Sequence, residues 1–258
     1  MMATSESGRR RFLRVGLGAV AATLLAGCEK LSQTEWFPRL LGAGESLNRK
    51  VHGVLGARKA MAQEFPPAAL SPDFRSNGTS MPDNPQYQAM VAARFADYQL
   101  KLEGLVEQPA AFSLAQLREL PSRTQITRHD CVEGWSAIGK WKGVKLAALL
   151  DAVQPKADAR FVVFYCADPM EANGASLYYE SIDMDDAYHP QTILAYELND
   201  RILPVKNGAP IRLRVERQLG YKHAKYIMRI ELVSSFARIA GGKGGYWEDN
   251  GYEWYAGI

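Results

Sequence analysis

Polar and apolar positions along this chain fall into two regimes. Through residues 29–97, Glu64-Phe65-Pro66-Pro67, Ser71-Pro72 and Met81-Pro82-Asp83-Asn84-Pro85 interrupt any period. Such punctuation predicts irregular structure: a tether to about residue 60, then a wrap over a site. From Tyr98 the pattern becomes regular. Tyr98–Leu105 alternates like a strand. Ser113-Leu114-Ala115-Gln116-Leu117 predicts a short helix with Ser113 as N-cap. Val144–Val153 predicts a second helix, with Leu146, Leu149, Leu150 and Val153 on one face. Arg160–Tyr165, Ile211–Val215 and Tyr226–Val233 are β-rich. Thr192–Glu197 and Arg201–Val205 flank Leu198-Asn199-Asp200 as a hairpin. Ser181–Ala187 predicts a short acidic helix. Many strands with short helices give an α+β fold class, with mixed β-sheets. A closing run holds Tyr246, Trp247, Tyr252, Trp254 and Tyr255. Aromatics so dense are expected to pack back on the domain.

Residues 1–27 follow a different rule. Arg9-Arg10-Arg11-Phe12-Leu13-Arg14 precedes an uncharged stretch from Val15 to Gly27. This resembles a twin-arginine export signal, and the stretch is short for a bilayer-spanning helix. Leu25-Ala26-Gly27-Cys28 resembles a lipoprotein cleavage box. These resemblances imply export to the periplasm and a lipid anchor on Cys28. The expected organisation is signal 1–27, tether 28–60 and domain 61–258.

That assignment changes the charge picture. The whole chain is formally +3, but residues 1–27 hold four of its 31 basic and one of its 28 acidic residues. The remainder is balanced at 27 of each, which gives no ground for nucleic-acid binding. Its length suits one large domain or two small ones. A hydrophobic fraction of 47% supplies a substantial core.

The candidate chemistry centres on Cys131, in Arg128-His129-Asp130-Cys131-Val132-Glu133-Gly134-Trp135. A cysteine among a histidine, two carboxylates and a tryptophan points to a soft metal ligand or a reactive thiol. A disulfide to Cys166 is the alternative, favoured in an oxidising compartment. Two cysteines after Cys28 are too few for a disulfide scaffold.

Three stretches together resemble the sulfite oxidase family of molybdopterin enzymes, and most nearly its periplasmic methionine-sulfoxide reductase branch. They are His129–Trp135 with Trp141-Lys142-Gly143-Val144, then Leu194–Asn199 running through Leu203-Pro204 to Asn207-Gly208-Ala209-Pro210-Ile211-Arg212, and Gly220-Tyr221-Lys222-His223-Ala224-Lys225-Tyr226. The resemblance covers roughly residues 70–258. It implies a sulfite-oxidase-type domain binding Mo-molybdopterin, with Cys131 ligating the metal. It implies cofactor contacts from Arg75, Ser76, Asn77, Gly78, His129, Cys166, Asn207, Arg212, Lys222, His223, Ala224 and Lys225. Arg212, Lys222 and Lys225 would offer charge and N–H donors to the cofactor phosphate. Glu133 would be a proton donor or site-shaping carboxylate.

Departures from the family pattern bear on the reaction. The sulfite-oxidising members carry a catalytic Tyr in Tyr-Gly-Ala-Ser, and this chain has Asn173-Gly174-Ala175-Ser176. The family's anion-binding Arg has no clear counterpart. The expectation is therefore oxygen-atom transfer by reduction of a small S-oxide or N-oxide. A separate membrane cytochrome or quinone-linked subunit would supply electrons to a monomeric catalytic subunit. The alternatives are oxidation of sulfite or a related sulfur compound, a metal-free binding or assembly lipoprotein, and a cysteine-zinc or thiol enzyme.

Overall fold

The computed structural model describes residues 60–258 apart from 172, 173 and 175, together with Thr34 and Trp36. The chain divides into two compact units, Met1–Ala57 and Arg58–Ile258, and the elements that follow belong to the second. The expectations for the signal, Cys28 and Asn173 lie outside the described residues.

Helix α1 (Pro85–Ala92) breaks the stretch expected to be irregular. Its Asn84-Pro85 start is a helix signal as well as a turn signal. Asn84 accepts a hydrogen bond from the Tyr87 amide as N-cap, and Pro85 has the φ that the first helical turn requires. Strands β1 (Gln99–Gly104) and β2 (Ala110–Ser113) then form an antiparallel pair. Helix α2 (Leu114–Glu119) starts from a capping box in which Ser113 and Gln116 satisfy each other's backbone amides. Strands β3 (Ser122–Cys131) and β4 (Trp135–Lys145) make a long hairpin. Helix α3 (Leu146–Val153) buries its four predicted apolar residues. Each contributes on the order of 1.5–3 kcal/mol by leaving water.

Strands β5 (Phe161–Pro169) and β6 (Leu177–Asp183) follow, then helix α4 (Met184–Ala187). The acidic helix expected over 181–187 is thus only four residues long, because Ser181 and Ile182 complete a strand paired with β5. Strands β7 (Ile193–Leu198) and β8 (Arg201–Ile202) form the expected hairpin, with a shortened second arm. Pro204 ends it and caps a 3-10 turn over Val205–Asn207. Strands β9 (Arg212–Arg214) and β10 (Ile227–Val233) and helix α5 (Tyr246–Asp249) complete the chain.

The strands form two sheets. The first has the order β2-β1-β10-β5-β6, and the second β3-β4-β7-β8, with β9 also paired to β7. β5 is buried on both faces, with Val162 and Phe164 in the main apolar cluster and Ala167 in a smaller one beside Tyr87 and Tyr226, which accounts for its nearly continuous apolar run. The larger apolar cluster includes β1, α3, β5 and β10 residues. A smaller one gathers Phe74, Ala137, Trp141, Ile193, Ala195, Leu198 and Leu203. The closing aromatics pack on the first sheet's last strand, where the Trp254 indole donates to Ser181 Oγ at 2.8 Å. Among the described residues, no helix is long and apolar enough to cross a membrane.

Candidate functional site

Cys131 ends β3, where the Val132-Glu133-Gly134 turn swings the chain into β4. Gly134 takes φ +82°, a conformation that favours glycine. Cys131 is half-buried, and burial raises its thiol above the ordinary value. The Glu133 and Val132 backbone N–H groups and the Arg75 charge oppose that rise.

A cavity of about 180 Å³ opens beside Cys131. On its apolar side stand Val132, Met170, Tyr178, Tyr221, Trp247 and Tyr252. On its polar side stand Asn77, Thr79, Glu133, Asp168, His223 and Lys225. Five parts of the chain thus converge on one thiol: the 77–79 loop, the end of β5, the start of β6, the Gly220–Lys225 segment and the closing aromatic segment.

Three of the polar residues have buried atoms with no hydrogen-bond partner among the described residues: Asn77 Oδ1, Asp168 Oδ1 and His223 Nδ1. An unsatisfied buried polar atom costs about 1–3 kcal/mol. Three on one cavity fit a ligand rich in donors and acceptors. The molybdopterin ring system has both, so the residues present fit that group. Among the described residues, no three His, Cys, Asp or Glu side chains are grouped to hold a metal. Cys131 is a single soft donor, as suits a metal whose other sulfurs come with its cofactor.

The histidines carry definite tautomers. Arginine can only donate, so the 2.9 Å contact from Arg214 Nη1 makes His129 Nδ1 an acceptor. His129 Nε2 therefore bears the proton, and it too is buried without a partner among the described residues. His223 Nε2 donates to the Gln218 carbonyl at 3.0 Å, which leaves Nδ1 as the ring's lone-pair nitrogen. Burial, then the Arg214 charge, holds both rings well below the ordinary histidine range, so both are neutral. Gly220 makes this packing possible, because a Cβ there would stand 2.7 Å from His129 Nε2.

Several expected cofactor contacts have other partners here. Lys222 is fully buried, with Nζ 2.5 Å from Glu180 and 2.6 Å from Glu248. It faces two carboxyl groups and is not among the residues lining the cavity. Lys225 does line it, but its ammonium donates to the carbonyls of Asn77 (2.6 Å), Thr79 and Lys206 (3.2 Å). Burial lowers its pKa to about 7. It thus fixes the 77–79 loop. Arg212 donates to the Asn207 and His223 carbonyls and lies, like Arg214, against the Trp141 ring. Its Nε has no partner among the described residues. Burial lowers its pKa to about 9. Asn207 is buried and its amide approaches the Phe74 carbonyl. Ala224 is buried in the core, and its carbonyl accepts from the Leu213 amide.

Toward the mouth, Arg75 lies 5.6 Å over the Trp135 ring and is exposed. Ser76 donates to the Lys206 carbonyl. Gly78 takes φ +56° and lines the cavity. Glu133 is exposed and accepts from the Trp135 indole at 2.9 Å. Cys166 differs: it is 2% exposed, belongs to the main apolar cluster and is absent from the cavity lining. Both described cysteines are free, so the disulfide alternative is not realised.

Asp168, two residues on, is what β5 brings to the cavity instead. It is absent from the residues that the sequence singles out. The one signal that points to it is a carboxylate following an apolar strand run, in Cys166-Ala167-Asp168-Pro169. Burial pushes its carboxyl up to about 6, with its own backbone N–H and Lys225 opposing.

A half-buried free thiol beside a cavity lined by unsatisfied polar atoms defines a candidate cofactor-binding site. Residues 87–238 match the oxidoreductase molybdopterin binding domain, and the chain belongs to this family of molybdopterin-dependent oxidoreductases. The YedZ1 protein of Azospira oryzae, provisionally named as a protein-methionine-sulfoxide reductase subunit, is 38% identical over 96% of this chain and 87% of its own. A protein-methionine-sulfoxide reductase catalytic subunit from Burkholderia mallei is 30% identical over 87% of this chain and 69% of its own. Its counterpart from Ralstonia nicotianae is 37% identical over 62% of this chain, and the match spans half of that relative. Among solved structures, the sulfane dehydrogenase SoxCD of Paracoccus pantotrophus aligns with a TM-score of 0.49 at 24% identity, over 54% of this chain and 39% of that one.

Proposed function

We propose that this chain reduces a neutral S-oxide to the thioether, with Mo-molybdopterin held in the Cys131 cavity. In the balanced reaction one sulfoxide, two protons and two electrons give one thioether and one water. The bound cofactor supplies the two-electron oxygen-atom chemistry. Cys131 is the protein's metal ligand. Asn77, Asp168 and His223 would hold the organic part, with Lys225 fixing the 77–79 loop and His129 and Arg212 beside them. Glu133, at the mouth beside Cys131, is the proton donor on the substrate side. Asn173 stands where sulfite oxidisers have tyrosine and belongs to the substrate side of the same reading.

The observation that carries the choice of substrate is the charge lining the cavity. Glu133 and Asp168 supply carboxyl groups, while the Lys225 N–H donors already face three carbonyls. The His223 ring is neutral. An anion such as sulfite would meet the Glu133 carboxyl beside Cys131, with Arg75, over the Trp135 ring, as the cation whose charge reaches that thiol. A neutral S-oxide with an alkyl arm would meet Val132, Met170 and four aromatic rings. The names of the relatives support methionine sulfoxide as that S-oxide.

Export by the twin-arginine route, a Cys28 lipid anchor and a monomeric catalytic subunit fed by a membrane cytochrome or quinone-linked partner complete the proposal. The test is purification from a host that makes the cofactor, with molybdenum and pterin analysis and assays on methionine sulfoxide and sulfite. One molybdenum per chain with S-oxide turnover is expected. Turnover of sulfite instead reverses the direction, and stoichiometric zinc or no metal defeats the reading.

A further inference from the structure

Lys222 and Lys225 lie three residues apart, and each holds a different wall of the Cys131 cavity. Lys225 holds the 77–79 loop by its carbonyls. Lys222 holds the closing segment, because Glu248 belongs to α5 and follows the cavity-lining Trp247 directly. Trp247 stacks on Tyr252, with ring centroids 5.3 Å apart and planes at 29°. Tyr252 meets Tyr221 edge-on at 5.2 Å, and Tyr246 approaches Tyr178 at 6.2 Å. One half of the aromatic wall thus comes from the domain body and the other from the closing segment.

That segment has little regular structure to place it. Among the described residues its helix is one turn, and its strand-like contact is a single Gln218–Gly257 bridge. The Lys222, Glu180 and Glu248 side chains are all essentially unexposed. Glycine at 245 lets the backbone turn over this cluster, since a Cβ there would come within 2.0 Å of Glu248 and 2.8 Å of Glu180. Two carboxyl groups face one ammonium, and burial pushes the Glu180 carboxyl up.

We propose that Lys222 is a positioning residue: through Glu248 it sets the Trp247–Tyr252 stack, and that stack selects substrates bearing an apolar arm beside the sulfur. The proposal rests on the S-oxide reading above. Aromatic faces attract both alkyl groups and thioether sulfur. The sulfoxide of N-acetylmethionine methyl ester has such an arm and no charge, and dimethyl sulfoxide, also uncharged, has none.

The experiment compares holoenzymes of the wild type, Glu248→Gln, Lys222→Arg and Tyr252→Leu. It measures kcat and KM for both S-oxides, and the Kd of N-acetylmethionine methyl ester by tryptophan fluorescence. Glu248→Gln and Tyr252→Leu should raise KM and Kd for the arm-bearing ligands about tenfold, with kcat and the dimethyl sulfoxide KM within about twofold. Lys222→Arg keeps the charge and should stay near wild type. Equal changes for both S-oxides, or a fall in kcat at constant KM, overturn the proposal. If Glu248→Gln does not fold, Glu248→Asp carries the same test, and Tyr252, 40% exposed, can be changed without disturbing the core. A molybdenum-replete wild type that turns over neither S-oxide defeats the underlying reading. Turnover without discrimination defeats this proposal alone.

Discussion

His129 and His223 meet edge to face, 5.0 Å between ring centroids, with complementary free atoms: a buried N–H on His129 Nε2 and a buried lone pair on His223 Nδ1. One donor and one acceptor are thereby set behind Cys131 before any ligand arrives. His223→Phe keeps the ring and deletes the acceptor. Its cofactor affinity should fall by about 1–3 kcal/mol, roughly five- to 150-fold, read as pterin retained after gel filtration. Full retention would remove His223 from the binding set.

Arg214 and Glu216 form a wholly buried ion pair, and Glu216 also accepts from Gln125 at 2.8 Å. Breaking such a pair leaves an uncompensated charge, which costs about 3–5 kcal/mol. Arg214→Met should lower the denaturation free energy by that amount. Arg214→Met with Glu216→Leu should recover much of it. A double variant as unstable as the sum of both single variants would contradict the pairing.

Asp168 gives a pH dependence with a definite sign. Its folded pKa of about 6 lies above the ordinary 3.8, so between these values the folded state binds more protons than the unfolded. The contribution is fully present below about pH 4 and is lost as pH rises through 6. Asp168→Asn should therefore gain on the wild type by up to about 3 kcal/mol between about pH 4 and 7 in the cofactor-free protein. Denaturant titrations at the two pH values check it, and a constant difference would refute the buried, unpaired carboxyl.

Much of the fold is legible in the sequence where side-chain period reports burial. β1 alternates Leu100 and Leu102 inward, and α3 presents Leu146, Leu149, Leu150 and Val153. The long β3 strand is not legible, because its buried face is Gln125, Thr127 and His129, polar residues held by hydrogen bonds that only the fold supplies. The same rule divides the site. Cys131 is singled out by its neighbours and by family resemblance. Asp168 carries no periodic signal, and Cys166 draws notice for its chemistry although strand alternation and core packing turn it inward. Lys222 and Lys225 resemble phosphate ligands in the sequence, which does not display the carboxylates and carbonyls that occupy them.

Cys166 provides a control. Its thiol sits in the main apolar cluster, so Cys166→Ser buries a hydroxyl and should cost about 1–3 kcal/mol of stability. Molybdenum content should not change. A lost or altered metal signal in Cys166→Ser would return this residue to the site.

The most direct test of the central claim is the Mo(V) electron paramagnetic resonance spectrum of the wild type beside Cys131→Ser. With Cys131 as the metal's protein ligand, the wild type gives a signal from about one molybdenum per chain, and the variant loses it or shifts its g-values. An unchanged spectrum in the variant at equal molybdenum content would contradict the assignment.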